Sequence, residues 1–109
     1  MAIYNYKVSL AAKEAFQMIR QNQKAELVYE EEFKVDADKF TGTLIYDKYY
    51  MRAKNRAALI VLIDNFNGST DIRAISTGSS QGMIFDFDWG AADHFANSVG
   101  EILRDYIID

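Results

Sequence analysis

The sequence predicts an α+β fold, an antiparallel β-meander sheet with two helices on one face, in the order β-α-β-β-β-β-β-α. Three observations lead there. Short alternating or apolar segments follow one another from Ala25 to Phe87, separated by turn residues. Only two segments carry apolar residues at helical spacing, and they stand toward the two ends of the chain. The dipeptide Asn67-Gly68 is a strong hairpin signal, because both residues tolerate the positive φ of a type I′ turn. Consecutive strands with helices outside the run give a meander with its helices on one face, not alternating βαβ units.

In order along the chain, Ile3–Val8 alternates Tyr4, Tyr6 and Val8 against Asn5 and Lys7 and is predicted as the first strand. Ser9 stands at the N-cap of a helix over Leu10–Gln21, where its hydroxyl accepts from the free amides of the first turn. Ala12, Phe16, Ile19 and Gln23 form that helix's stripe, widened by Ala15 and Met18. In Ala25–Val35 the residues Leu27, Tyr29, Phe33 and Val35 alternate against Glu26, Glu30, Glu32 and Lys34, a strand with one acidic face. After a turn at Asp36-Ala37-Asp38 comes a strand over Phe40–Met51, bent at Gly42, and its partner Ala57–Phe66 is reached through Lys54-Asn55. Ala57–Ile63 is apolar on both faces, the mark of a central strand covered on both sides or set in an interface. Asp71–Thr77 follows, then the loop Gly78–Gly82 and a short strand Met83–Phe87. Asp88 caps a last helix, Ala91–Ile107, whose apolar stripe is Phe95, Val99, Ile102, Leu103 and Tyr106 and whose wet face holds Asp93, His94, Asn97 and Arg104.

One domain of 109 residues is expected, of a size that buries about 65% of its unfolded surface without a staple. The absence of cysteine excludes disulfides, thiolate zinc sites and thiol catalysis. The start MAIYNYKVSL lacks the pattern of a secretory signal, and the longest apolar run is far short of the roughly 20 residues of a membrane span, so a cytoplasmic protein is expected. A net charge of −4 disfavours nucleic acid and anionic membrane as partners.

Against that acidic background, YDKYYMRAKNR (46–56) concentrates positive charge. From Lys48 to Arg56 there are four basic residues, Lys48, Arg52, Lys54 and Arg56, and no acid, which leaves eight basic against sixteen acidic residues elsewhere, a balance of −8. On a strand running into a turn, Lys48, Tyr50 and Arg52 share one face and Tyr49 and Met51 the other. Arg52 and Arg56 then converge across the hairpin and offer forked donors to a phosphate or carboxylate. The competing reading pairs these charges with Asp47, Asp64 or the Glu30–Glu32 run, either within the chain or across a symmetric dimer. Ser79 and Ser80, in GSSQG, offer an anion cradle of backbone amides, although the motif matches neither GxGxxG nor a Walker pattern. Lys48, Tyr50, Arg52, Arg56, Ser79 and Ser80 are therefore the ligand-binding candidates. Asp86 and Asp88 project from one face of FDFDW and suit a divalent cation only if further ligands join them. His94 is the sole histidine and no nucleophile motif accompanies it, so neither catalytic residues, a metal nor a cofactor is expected.

The combination of YDKYYMRAKNRAALIVLI, the SSQG loop and FDFDWGA leading into the last helix resembles a family of small bacterial proteins of unknown function, found mainly in Firmicutes. The resemblance covers most of the chain and implies a cytoplasmic bacterial domain without an assigned activity. The order of elements also resembles a shortened helix-grip domain, of the kind in which a curved antiparallel sheet wraps a long C-terminal helix around an apolar cavity. Two functions follow as expectations. One is a non-catalytic binding or interaction module that self-associates, as a homodimer. The other is a binder of a small apolar or anionic-headed ligand between the sheet and the C-terminal helix.

Overall fold

A computed structural model describes residues 1–51, 54–78 and 89–109, apart from the side chains of Trp89 and Ala91. Within them the chain forms β1 (Ala2–Val8), α1 (Ala12–Asn22), β2 (Glu26–Lys34), β3 (Phe40–Tyr50), β4 (Asn55–Asp64), β5 (Thr70–Gly78) and α2 (Trp89–Ile102). The strands make one antiparallel sheet in the order β1-β5-β4-β3-β2. β2 to β5 are a meander, and β1 pairs with the far side of β5. Because β1 and β2 lie at opposite edges, the intervening α1 has to cross the sheet. The α+β class and the predicted order of elements hold in the described residues; the predicted strand Met83–Phe87, the loop Ser79–Gly82 and the cap Asp88 lie outside them.

Alternation in the central strands decides which face the helices cover. On β4 the inner residues Ala57, Leu59, Val61 and Ile63 are fully buried, as are Leu44 and Tyr46 on β3 and Ala74 and Ser76 on β5, each at or near zero exposure. Ala12, Ala15, Phe16 and Ile19 of α1 and Ala92, Phe95, Val99 and Leu103 at α2 meet them in one continuous core. Each fully buried aliphatic or aromatic side chain contributes about 1.5–3 kcal/mol. The two helices are tied at their ends by Gln23, whose Nε2 donates to Ser98 Oγ at 2.8 Å. Gly42 lets α1 approach this closely: a Cβ there would lie 2.5 Å from Phe16 Cδ1, inside the ring's van der Waals surface. Phe16 also packs edge-on against Phe40, with ring centroids 5.8 Å apart.

Several local expectations are corrected. The first helix begins at Ala12 with Ala11 as its N-cap, not at Ser9. Glu14 Oε1 accepts from the Ala11 amide at 3.1 Å, while the Ser9 amide donates to the Tyr106 carbonyl at 2.8 Å. β2 carries a bulge at Val28, so Leu27 lies opposite Tyr46 on the inner face whereas Tyr29 lies opposite Ile45 on the outer one. The predicted common face of Leu27, Tyr29 and Phe33 is thereby split. Glu30 and Glu32 turn toward α1, where Arg20 Nε lies 2.7 Å from Glu30 and Lys13 pairs with Glu32. The acidic run is thus not a bare solvated face, and part of it finds its mates within the chain.

The β4–β5 hairpin is present, but only Gly68 has positive φ (+89°), and its amide bonds to Asn65 O. A five-residue loop therefore replaces the predicted two-residue type I′ turn. The last helix ends at Ile102 instead of Ile107. The chain makes a 3₁₀ turn over Arg104–Tyr106 and returns along β1, where Ile107 bridges Val8 and the Ile108 amide donates to Lys7 O at 2.7 Å. The exposed backbone edge of β1 captures a segment that helical periodicity alone would have continued. Tyr106 consequently leaves the predicted stripe and is 38% exposed.

Replacing Gly42 by Ala should destabilise the chain by about 1–3 kcal/mol through overpacking against Phe16. Urea unfolding followed by circular dichroism measures this, and the companion change Phe16→Leu in the Gly42→Ala background should recover part of the loss.

Candidate functional site

The β3–β4 hairpin end, singled out by its charge, is built by the register Lys48↔Ala57, Tyr49↔Arg56 and Tyr50↔Asn55. Alternation sends Lys48 and Tyr50 to the helix-bearing face and Tyr49 and Arg56 to the other. Lys48 Nζ stands 5.0 Å over the Tyr50 ring, and that ring meets Phe95 of α2 edge-on at 5.6 Å. Tyr50 is therefore part of the packing between β3 and α2, and burial pushes its hydroxyl pKa up to about 12. On the opposite face Arg56 Nε and Nη2 lie 2.9 and 2.5 Å from Asp47 Oδ2, and that carboxylate raises the guanidinium pKa. Lys48 and Tyr50 thus belong together, and Arg56 is separated from them by the thickness of the sheet. Arg52, Ser79 and Ser80 lie outside the described residues, as do Asp86 and Asp88. His94 is exposed on α2. Among the described residues no three His, Cys, Asp or Glu side chains are grouped to hold a metal ion.

The feature that the charge pattern concealed is the outer face of the sheet. Register places Ile3, Ile75, Ile60, Ile45 and Tyr29 side by side, one from each of the five strands in their spatial order. Ile3 and Tyr29 at the ends of this row are 51% and 47% exposed, and the three central isoleucines are half-buried. Leu62 and Ala58 extend the row on β4 to either side. Neither helix reaches this face, because both pack on the other one. The double apolarity of Ala57–Ile63 was the sequence signal for it. The contributions of Ile3, Ile45 and Ile75 emerge only once the register is known.

At one end of the outer face, Lys7, Leu62, Asp64, Asp71 and Arg73 line a depression of about 490 Å³. Lys7 Nζ lies 3.1 Å from Asp71, and Arg73 Nε donates to Asn5 Oδ1 at 3.2 Å. Between the sheet and α2 the space is filled by Phe95, Val99 and Leu103, all essentially without exposure. No helix among the described residues is long and apolar enough to cross a membrane.

A family model described as "Family of unknown function (DUF6054)" matches residues 1–107. No curated protein matches the chain, and no solved structure does.

Tyr46 shares the behaviour of Tyr50: burial raises its hydroxyl pKa to about 12 from the ordinary 10.0. In the unfolded chain both phenols ionise near 10, so the neutral forms favour the fold. Stability from these two groups is complete below about pH 10 and is lost as pH rises toward 12. The double variant Tyr46→Phe, Tyr50→Phe should therefore show a shallower decline in stability than the native chain between pH 10 and 11.5, measured by urea titration. Equal slopes would contradict the assignment.

Proposed function

The chain belongs to this family of unknown function, and on that premise we propose that it is a non-catalytic interaction module that self-associates through the outer face of its sheet. The observation that carries the proposal is the continuous row Ile3, Ile75, Ile60, Ile45 and Tyr29 on the face that neither helix covers. An antiparallel sheet with one solvated face ordinarily alternates apolar and polar along every strand. β4 departs from that rule, with Ala58, Ile60 and Leu62 facing outward behind the fully buried Ala57, Leu59, Val61 and Ile63. An exposed apolar surface of this continuity marks an interaction site. The module we propose works in the cytoplasm, as its likeness to small bacterial proteins implies.

A small-ligand site between sheet and C-terminal helix receives less support, because Phe95, Val99 and Leu103 occupy that space. The charged candidates do not favour it either: Lys48 caps an aromatic ring and Arg56 is engaged by Asp47 on the other face.

In solution the native chain should have twice its 12.5 kDa mass, and Ile60→Lys should return it to the monomer mass while keeping its circular dichroism spectrum. Burying an unpaired ammonium opposite an apolar surface costs several kcal/mol, so the dissociation constant should rise by about 100-fold or more. Light scattering coupled to size-exclusion chromatography reads both masses. A native chain that stays monomeric at several hundred micromolar would sink the proposal.

A further inference from the structure

Given the self-association just proposed, on which this step rests, we infer that two copies meet about a two-fold axis that crosses β4 at Ile60, in the plane of the interface and perpendicular to the strand. The two β4 strands then run antiparallel across the contact. The partner is a second copy of this chain because the outer residues of β4 are complementary to their own reverse.

Those residues are, in order, Arg56, Ala58, Ile60, Leu62 and Asp64. Turned about Ile60, the series sets Ile60 on Ile60, Ala58 against the partner's Leu62 and Arg56 against the partner's Asp64. On either side of Ile60 small meets large, and beyond that plus meets minus. A two-fold axis along the strand would instead oppose Arg56 to Arg56, Ala58 to Ala58 and Asp64 to Asp64. Like charges set against each other cost free energy, which selects the first arrangement. Closed two-fold symmetry makes each contact off the axis occur twice.

The surroundings of Asp64 point the same way. Across the β4–β5 ladder Asp64 lies directly opposite Asp71, a like-charge juxtaposition that destabilises a sheet. Lys7 is bound to Asp71, and no ion pair among the described residues involves Asp64. The 490 Å³ depression lined by both aspartates leaves room for an incoming side chain. The partner's Arg56, oriented by its own Asp47, has the length to bring its charge to the mouth of that depression beside Asp64.

The dimensions are sufficient. Five strands about 4.8 Å apart and eight residues long at about 3.4 Å each present about 600 Å² per copy, or about 1,200 Å² in all. That area reaches the lower bound of about 1,200 Å² for a stable specific interface. Face-to-face sheets cross at about 30°, which displaces Arg56 from the partner's Asp64 by about 7 Å at the ends of the contact, within the span of an arginine side chain.

The test uses two full-length variants, Arg56→Glu and Asp64→Arg, each checked for its fold by circular dichroism. Alone, each sets like charges against each other at both contacts, and its homodimer should be at least tenfold weaker than that of the native chain. In the mixture, the glutamate introduced in one variant meets the arginine introduced in the other. At the second contact the native Asp64 of the first variant meets the native Arg56 of the second. A heterodimer should therefore form with close to native affinity, seen by native mass spectrometry from the mass difference between the variants. Loss of the Arg56–Asp47 pair within one chain cannot produce that restoration. Asp64→Arg leaves that pair intact, so it alone shows the weakening even where Arg56→Glu disturbs its own chain. If the mixture associates no better than the separate variants, the axis is wrong. If Ile60→Lys leaves the native mass unchanged, the outer face itself is not the interface.

Discussion

β4 is hydrogen-bonded along nearly its whole length to β3 on one side and β5 on the other, and its four inner apolar residues are sealed under both helices. The other elements are arranged around that burial. β3 and β5 bring their own inner rows to it, and α1 crosses the sheet so that Phe16 and Ile19 reach the same core as Phe95 and Val99 of α2. Close approach between α1 and β3 depends on Gly42 having no Cβ at the point where Phe16 arrives. The hydrophobic contribution is additive over many side chains, at about 25 cal/mol per Å² of apolar surface removed from water, so no polar contact in the structure rivals it.

Charge has a different task, which is to finish the edges. β2 is an edge strand rich in glutamate and broken by a bulge, two devices that discourage another strand from adding to it. Its inward-turned Glu30 and Glu32 are held by Arg20 and Lys13 on α1. Such exposed pairs are worth about 0–1 kcal/mol each, so they orient α1 over the edge more than they hold it there. At the opposite edge the returning C-terminal segment satisfies backbone groups of Lys7 and Ser9, which protects part of β1 by hydrogen bonding.

The fold was legible in the sequence because its decisive signals are local. Alternation marked β1, turn residues separated β2 to β5, helical spacing marked Phe16, Ile19, Phe95 and Val99, and the two-sided apolar run marked β4 as central. What stayed hidden depends on distant partners. The bulge at Val28 shows only in the pairing with Ile45 and Tyr46, and the early end of α2 follows from capture by β1. The candidate site suffered most. Lys48, Tyr50 and Arg56 look like one patch along the chain, but the register Tyr49↔Arg56 sends Arg56 to the face that Lys48 and Tyr50 do not share. Proximity in sequence around a hairpin says which residues are near, and a single step in register decides which side of the sheet they serve.

The same rule gives the basic segment its role in the dimer we propose. Arg56 does not close a pocket with Lys48; it ends the outer column of β4, whose other end is Asp64. Apolar burial gives such a surface affinity without orientation, because isoleucine packs on isoleucine equally well in either direction of the strand. Orientation has to come from groups that distinguish one end from the other, and in a chain of net charge −4, which repels its own copy, opposed signs at the contact offset that repulsion locally. Placing a cation at one end of the central strand and an anion at the other, with a small and a large side chain between, meets that requirement with four residues.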